Sequence, residues 1–172
     1  MMGELKVLID EASIQEKVAN LAKKIEQDYE GKDLTLVGIL KGSTVFMVDL
    51  ARKMEKQVKF AFMQVSSYGA EKISAGKINL KLDLPDSLEG ENILIVEDII
   101  DTGRTLSYLI KHLQQKNPES IKLCTLLDKP ERREYDVKVD YVGFEIPDKF
   151  VVGYGLDYNE RYRNLPYIAE VE

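Results

Sequence analysis

The feature that most limits how this chain can fold is a series of short apolar runs, Leu34 to Leu40, Val58 to Val65, Ile93 to Val96 and Ile121 to Leu127, with helical patterns between them. Leu34 to Leu40 lacks the polar alternation of a strand wetted on one face, so it reads as a strand buried on both. Gly42-Ser43 leads from it into a helical stretch, Thr44 to Glu55. After Ile93 to Val96 a second helix is expected from about Thr105 to Lys116. Leu106, Leu109, Ile110 and Leu113 share one of its faces, and Asn117-Pro118 ends it. Strands that alternate with helices call for an α/β fold, with a mainly parallel central sheet flanked by helices on both faces.

The remaining chain fits that frame. Ser13 and Glu16 have the spacing of a capping box, and Ile14, Val18, Leu21, Ala22 and Ile25 follow at helical period until Gly31. Asn79 to Leu84, Val139 to Ile146 and Phe150 to Tyr154 read as further strands. Ser66 to Lys77 is polar, carries Gly69 and Gly76, and reads as a mobile loop. No repeat, low-complexity tract or linker divides the 172 residues, so one domain is expected.

Charge and rare residues exclude several function classes. A net charge of -6 repels a nucleic-acid backbone, although a local cluster of N–H groups, Lys, Arg and metal can still hold a small anion. Nucleic acid is not an expected partner. The single cysteine, Cys124, allows no internal disulfide and sits in an apolar run, so it reads as core rather than nucleophile. No apolar stretch approaches the roughly 18 residues that span a membrane, and Met1 to Asp10 lacks the apolar centre of a signal peptide. A cytoplasmic protein without a membrane partner is expected. The lone His112 has no partner nearby in sequence and reads as a surface residue, which leaves no Ser-His-Asp or Cys-His arrangement.

The chemistry concentrates between Val96 and Leu106. Ligands of open α/β sheets bind at the carboxyl ends of strands, and Val96 ends such a strand. Glu97 and Asp98 follow. Their side chains leave an extended backbone in opposite directions, so both reach one polyol or Mg2+ only if the backbone turns there. After Asp101, Thr102-Gly103-Arg104-Thr105 opens a helix, where hydroxyls, a glycine and unpaired N–H groups form a cradle for a phosphate monoester. An ordinary capped helix preceded by surface acids would share most of these residues. The pattern is neither the Gly-x-x-x-x-Gly-Lys phosphate loop nor the dinucleotide Gly-x-Gly-x-x-Gly.

As a whole, hydrophobic strand, Glu-Asp, two β-branched residues and Asp-Thr-Gly-x-Thr resembles the fingerprint of the type I phosphoribosyltransferases, which bind phosphoribosyl pyrophosphate (PRPP). From about Leu34 to Leu165 the chain is similar to the hypoxanthine-guanine branch. Leu40-Lys41-Gly42-Ser43 resembles that family's pyrophosphate loop, which often has a cis peptide before the lysine. Ser67-Tyr68-Gly69 resembles the start of its flexible catalytic lid, about residues 66–78. Lys129 matches the lysine that contacts the purine 6-oxo group. Phe144 to Arg163 resembles the base-binding hood, which the family builds from terminal segments, here mainly about 144–172.

The resemblance implies the type I phosphoribosyltransferase fold and transfer of the 5-phosphoribosyl group from PRPP to N9 of hypoxanthine or guanine. The products would be IMP or GMP and pyrophosphate, with Mg2+ required. Glu97 and Asp98 would bind ribose hydroxyls, directly or through Mg2+, Asp101 would be the general acid/base near purine N7, and Thr102, Gly103, Arg104 and Thr105 would hold the 5-phosphate. Lys41, Gly42 and Arg163 would meet pyrophosphate. Phe150 would cover the purine ring, the Val151 backbone would bond its edge, Lys149 would reach the 6-oxo side, and Asp157 would hold a second Mg2+ through water. A homodimer or homotetramer is implied. Two rivals share the fold: a transferase for xanthine or another base, and a PRPP-binding regulator that binds nucleic acid.

Overall fold

The computed structural model describes residues 3–67 and 78–172. Its core is a six-stranded sheet in the order β4-β3-β2-β5-β6-β7, formed by β2 (Thr35–Leu40), β3 (Lys59–Ser67), β4 (Ile78–Leu82), β5 (Asn92–Ile100), β6 (Ser120–Asp128) and β7 (Tyr141–Glu145). Only the edge strand β4 runs antiparallel to its neighbour, β3. Between strands the chain crosses over through α2 (Thr44–Arg52) and α3 (Arg104–Gln114), as parallel pairing requires.

Two apolar clusters show why the strands carry so little polar alternation. On one face Leu36, Leu94, Val96 and Cys124 pack with Ile14, Val18 and Ile25 of α1 (Glu11–Asp28) and with Phe46, Met47 and Leu50 of α2. On the other, Val37, Ile39, Ile93, Ile95 and Leu123 pack with Leu106, Leu109 and Leu113 of α3 and with Leu84 and Leu88. Successive residues of a strand point to opposite faces, and both faces here are dry. Cys124 is fully buried, as expected of a core residue, and that burial pushes its thiol far above the ordinary value.

A second, three-stranded sheet was not legible as such. In it β9 (Ile168–Val171) lies between β1 (Leu5–Ile9) and β8 (Val151–Val152), antiparallel to both. Ile9, Val151 and Ile168 belong to the same apolar cluster as α1 and α2, so the small sheet is continuous with the core.

Two local expectations are corrected. The cap of α1 is Asp10, whose Oδ1 accepts the Ser13 N–H at 2.8 Å; the helix therefore starts one turn before the Ser13-Glu16 box. His112 is partly shielded, and its Nε2 lies 2.9 Å from Asp83 Oδ2, a partner 29 residues away in sequence. Most other ends fall within about two residues of those expected, but α2 stops at Arg52, three short of Glu55. β5 runs four residues past Val96 and takes Glu97 and Asp98 into the strand.

Candidate active site

The sheet changes direction between β2 and β5. From β2 the chain crosses outward to β3, and from β5 it crosses the other way to β6. At such a switch point the two connections diverge and leave a crevice beyond the strand ends. β5 stays paired with β2 only as far as Gly38 and Val96, while it follows β6 on to Ile100 and Asp128. The crevice is a cavity of about 340 Å3 lined by Leu40, Gly42, Glu97, Asp98, the Asp101–Thr105 turn, Asp157 and Arg163.

Glu97 and Asp98 both line it, with β5 continuing through them to Ile100. The Asp98 N–H donates to Glu97 Oε1 at 3.0 Å, and the Ile99 N–H donates to Asp98 Oδ1 at 2.7 Å. Burial, together with the neighbouring charge of Asp98, holds the Glu97 carboxyl well above its ordinary value. Burial raises Asp98 as well, against the pull of its hydrogen bonds and of Arg163. Gly42 lies so close that a Cβ there would run into the Asp98 carboxylate.

Such a pair of buried oxygen donors fits a hard divalent cation, whose charge would offset the cost of ionising both. Among the described residues no cluster of three or more acidic, His or Cys side chains is built to hold a metal. Mg2+ is a cation that such a pair could hold, since it takes one or two carboxylates and completes its shell with water and substrate phosphates.

Past β5 comes the turn from Asp101 to Thr105 that was expected to hold a phosphate. Gly103, at φ +87°, precedes the first residue of α3. A side chain there would press on Arg133, the Tyr135 backbone and Val137. The next segment braces the turn from outside: the N–H groups of Glu134 and Tyr135 donate to Thr102 O, and Arg133 Nε donates to Asp101 O at 3.2 Å while its Nη2 binds Asp128. Arg104 carries a buried Nη2 with no hydrogen-bond partner among the described residues.

None of the four expected base-reading residues lines the crevice cavity, and each has its own surroundings. Lys129, next after β6, is buried, and its ammonium lies 3.6 Å from Asp101 Oδ1 and 3.5 Å from Asp148 Oδ1. Phe150 is half exposed and meets Tyr158 edge to face, with ring centroids 5.8 Å apart. Val151 is anchored in β8. Lys149 instead donates to Glu170 at 3.0 Å, so its ammonium is engaged on β9.

Lys41 and Arg163 are brought together. The Leu40-Lys41 peptide is cis. The Lys41 ammonium donates to Glu160 at 2.9 Å, and Arg163 donates to Glu160 at 2.6 Å and to Gly155 O at 2.7 Å, with Asp157 at 3.5 Å. Ser67 ends β3, whereas Tyr68 and most of the expected lid lie outside the described residues. Glu160, Arg133 and Asp148 at this site were missed from sequence. Arg133 lies in the run Glu131-Arg-Arg-Glu134, which reads as a solvated face and gives no signal.

Residues 8–159 match the family model described as "Phosphoribosyl transferase domain". The chain is 52% identical over 164 residues to the hypoxanthine-guanine phosphoribosyltransferase of Bacillus subtilis, covering 95% of this chain and 91% of that one. It is 51% identical over 164 residues to the bifunctional protein TilS/HprT of Listeria monocytogenes, covering 95% of this chain but only 25% of that longer protein. The crystal structure of a hypoxanthine-guanine phosphoribosyltransferase from Bacillus anthracis superposes with a TM-score of 0.93 at 49% identity, covering 98% of this chain and all of that one.

Proposed function

Since the chain belongs to the phosphoribosyltransferase family and has its type I fold, we propose that it transfers the 5-phosphoribosyl group from PRPP to N9 of hypoxanthine or guanine, giving IMP or GMP and pyrophosphate in purine salvage. The relatives named above supply the substrate class. The observation that carries it to this chain is Lys129: a buried ammonium beside the Asp101 carboxylate, one residue past β6. An ammonium there donates to a carbonyl oxygen and disfavours the amino group of adenine, which is itself a donor.

In this reading the turn from Thr102 to Thr105 binds the 5-phosphate through backbone N–H groups and the start of α3, with Arg104 alongside. Glu97 and Asp98 hold the ribose hydroxyls. The bond between C1 of the ribose and the pyrophosphate oxygen breaks as N9 bonds to C1, and the base's proton passes to Asp101 at the N7 side. Lys41, Gly42 and Arg163 receive the departing negative charge, which is where a preorganised cationic site lowers the barrier most. Mg2+, held by Glu97 and Asp98 and through water by Asp157, would supply further charge neutralisation. Phe150 stacks on the purine and the Val151 backbone bonds its edge. Lys149 reaches the 6-oxo side only after leaving Glu170, and Ser67 and Tyr68 would belong to the lid that excludes water. Assembly as a homodimer or homotetramer and a cytoplasmic site of action belong to the same proposal.

The test is a coupled assay of the purified protein with PRPP, Mg2+ and one purine at a time. Hypoxanthine and guanine are expected to give nucleotide and pyrophosphate, and adenine none. Turnover of adenine in preference to both would overturn the assignment of Lys129, and a preference for xanthine would favour the rival transferase while leaving Lys129 on the 6-oxo group.

A further inference from the structure

Glu160 sits where the proposed chemistry has no use for a negative charge. Its carboxylate bridges two cations, Oε2 on the Lys41 ammonium at 2.9 Å and Oε1 on Arg163 at 2.6 Å. These are the two side chains assigned to pyrophosphate, and they hold the carboxyl at about 2, Arg163 contributing more than Lys41. Glu160 is therefore an anion throughout the neutral range.

The backbone is arranged to put it there. Tyr158 and Arg161 exchange both backbone hydrogen bonds at 3.0 Å, and the two residues between them, Asn159 and Glu160, have φ of +53° and +63°. Left-handed φ at both central positions is the pattern of a type I′ turn, which favours Asn then Gly. Here the second position carries a glutamate despite the conformational cost. The Glu160 N–H donates to Asp157 Oδ2 at 2.8 Å, which fixes the turn against the site floor.

We propose that Glu160 is a built-in counter-anion that occupies the Lys41 and Arg163 cations when pyrophosphate is absent and is displaced when it binds. This rests on the reading that those two residues hold pyrophosphate. The Lys41 and Glu160 side chains are 60% and 55% exposed, so water already screens the pair and a multiply charged anion exchanges for it easily. Arg163 keeps its bond to Gly155 O at 2.7 Å, so its guanidinium stays aimed while Glu160 comes and goes. Glu160 is thus a positioning residue that lowers affinity for free pyrophosphate and recaptures the cations as the product departs. The enzyme is kept from being trapped by its own leaving group.

The experiment compares the wild-type protein with Glu160→Gln and Glu160→Gly, the glycine variant also suiting the positive φ. Binding of Mg2+-pyrophosphate is measured by calorimetry, and its release by rapid-mixing kinetics. Both variants are expected to bind pyrophosphate about three- to tenfold tighter, the size set by losing one or two exposed ion pairs. Release should slow in proportion, and the KM for PRPP should fall with that for hypoxanthine unchanged. A residue that merely held the loop together would act in the opposite direction, weakening both ligands. Pyrophosphate affinity unchanged or reduced in both variants overturns the counter-anion alone. Absence of any pyrophosphate binding by the wild-type protein overturns it together with the assignment of Lys41 and Arg163.

Discussion

Asp101 Oδ1 is buried and, among the described residues, accepts no hydrogen bond and has only the Lys129 ammonium nearby, at 3.6 Å. A carboxylate oxygen kept free in this way is available to a proton that arrives with a substrate. Asp101→Asn is expected to lower kcat by about a hundredfold or more with PRPP affinity largely retained, because the amide keeps the shape and loses the base. Single-turnover kinetics and equilibrium binding check the two halves, and unchanged turnover would remove Asp101 from the role. Lys129→Ala should weaken hypoxanthine more than PRPP; an effect on PRPP alone would relocate the base pocket. At this scale the sequence was legible wherever residues are close along the chain, as from Glu97 to Thr105. It was silent where partners are distant, as with Glu160, which meets Lys41 across 119 residues.

At the level of elements, α3 links core to site, since its first residues follow the phosphate turn while Leu106, Leu109 and Leu113 seat it on the sheet. Leu109 is fully buried, so Leu109→Ala is expected to cost about 2 to 5 kcal/mol of stability and to lower PRPP affinity by loosening the turn. Denaturant unfolding and PRPP titration measure both; lost stability with unchanged affinity would mean that the turn is held by its outer brace. That brace, Arg133 with the Glu134 and Tyr135 N–H groups, had no sequence signal because a run of charges looks the same solvated or bonded. Helices and central strands were readable because periodicity records burial. β1 and β9 were not, since β1 pairs with a strand more than 150 residues away and β9 is set between that strand and β8. His112 is a related case: its tie to Asp83, which follows β4, joins α3 to the sheet edge and is invisible locally.

For the molecule as a whole, the buried Glu97 and Asp98 pair is expected to make stability depend on pH and, under the proposed Mg2+ role, on divalent cation. Below the ordinary carboxylate value, 4.5 for Glu97, folded and unfolded chains both hold the protons and the pair costs nothing. As pH rises through that value the unfolded chain ionises first, while the native pair, raised by burial, keeps its protons. Native stability therefore falls until the pair itself ionises. Without divalent cation, Glu97→Gln is expected to raise Tm above about pH 5 and not below it. Mg2+ should raise the wild-type Tm in the same range by binding the ionised pair. Thermal melts across pH with and without Mg2+ check this, and a gap between Glu97→Gln and wild type that fails to widen above about pH 5 in the absence of metal would contradict it.

The small sheet carries a consequence for biosynthesis. Among the described strands β8, which seats Val151 beside Phe150, pairs with β9 alone, and β9 in turn is clasped by β1. A ribosome therefore delivers the turn proposed for the phosphate and the acidic strand long before it delivers the strand that would complete the proposed purine side. Nascent chains stalled ahead of Ile168 should bind a ribose phosphate yet fail to capture a base.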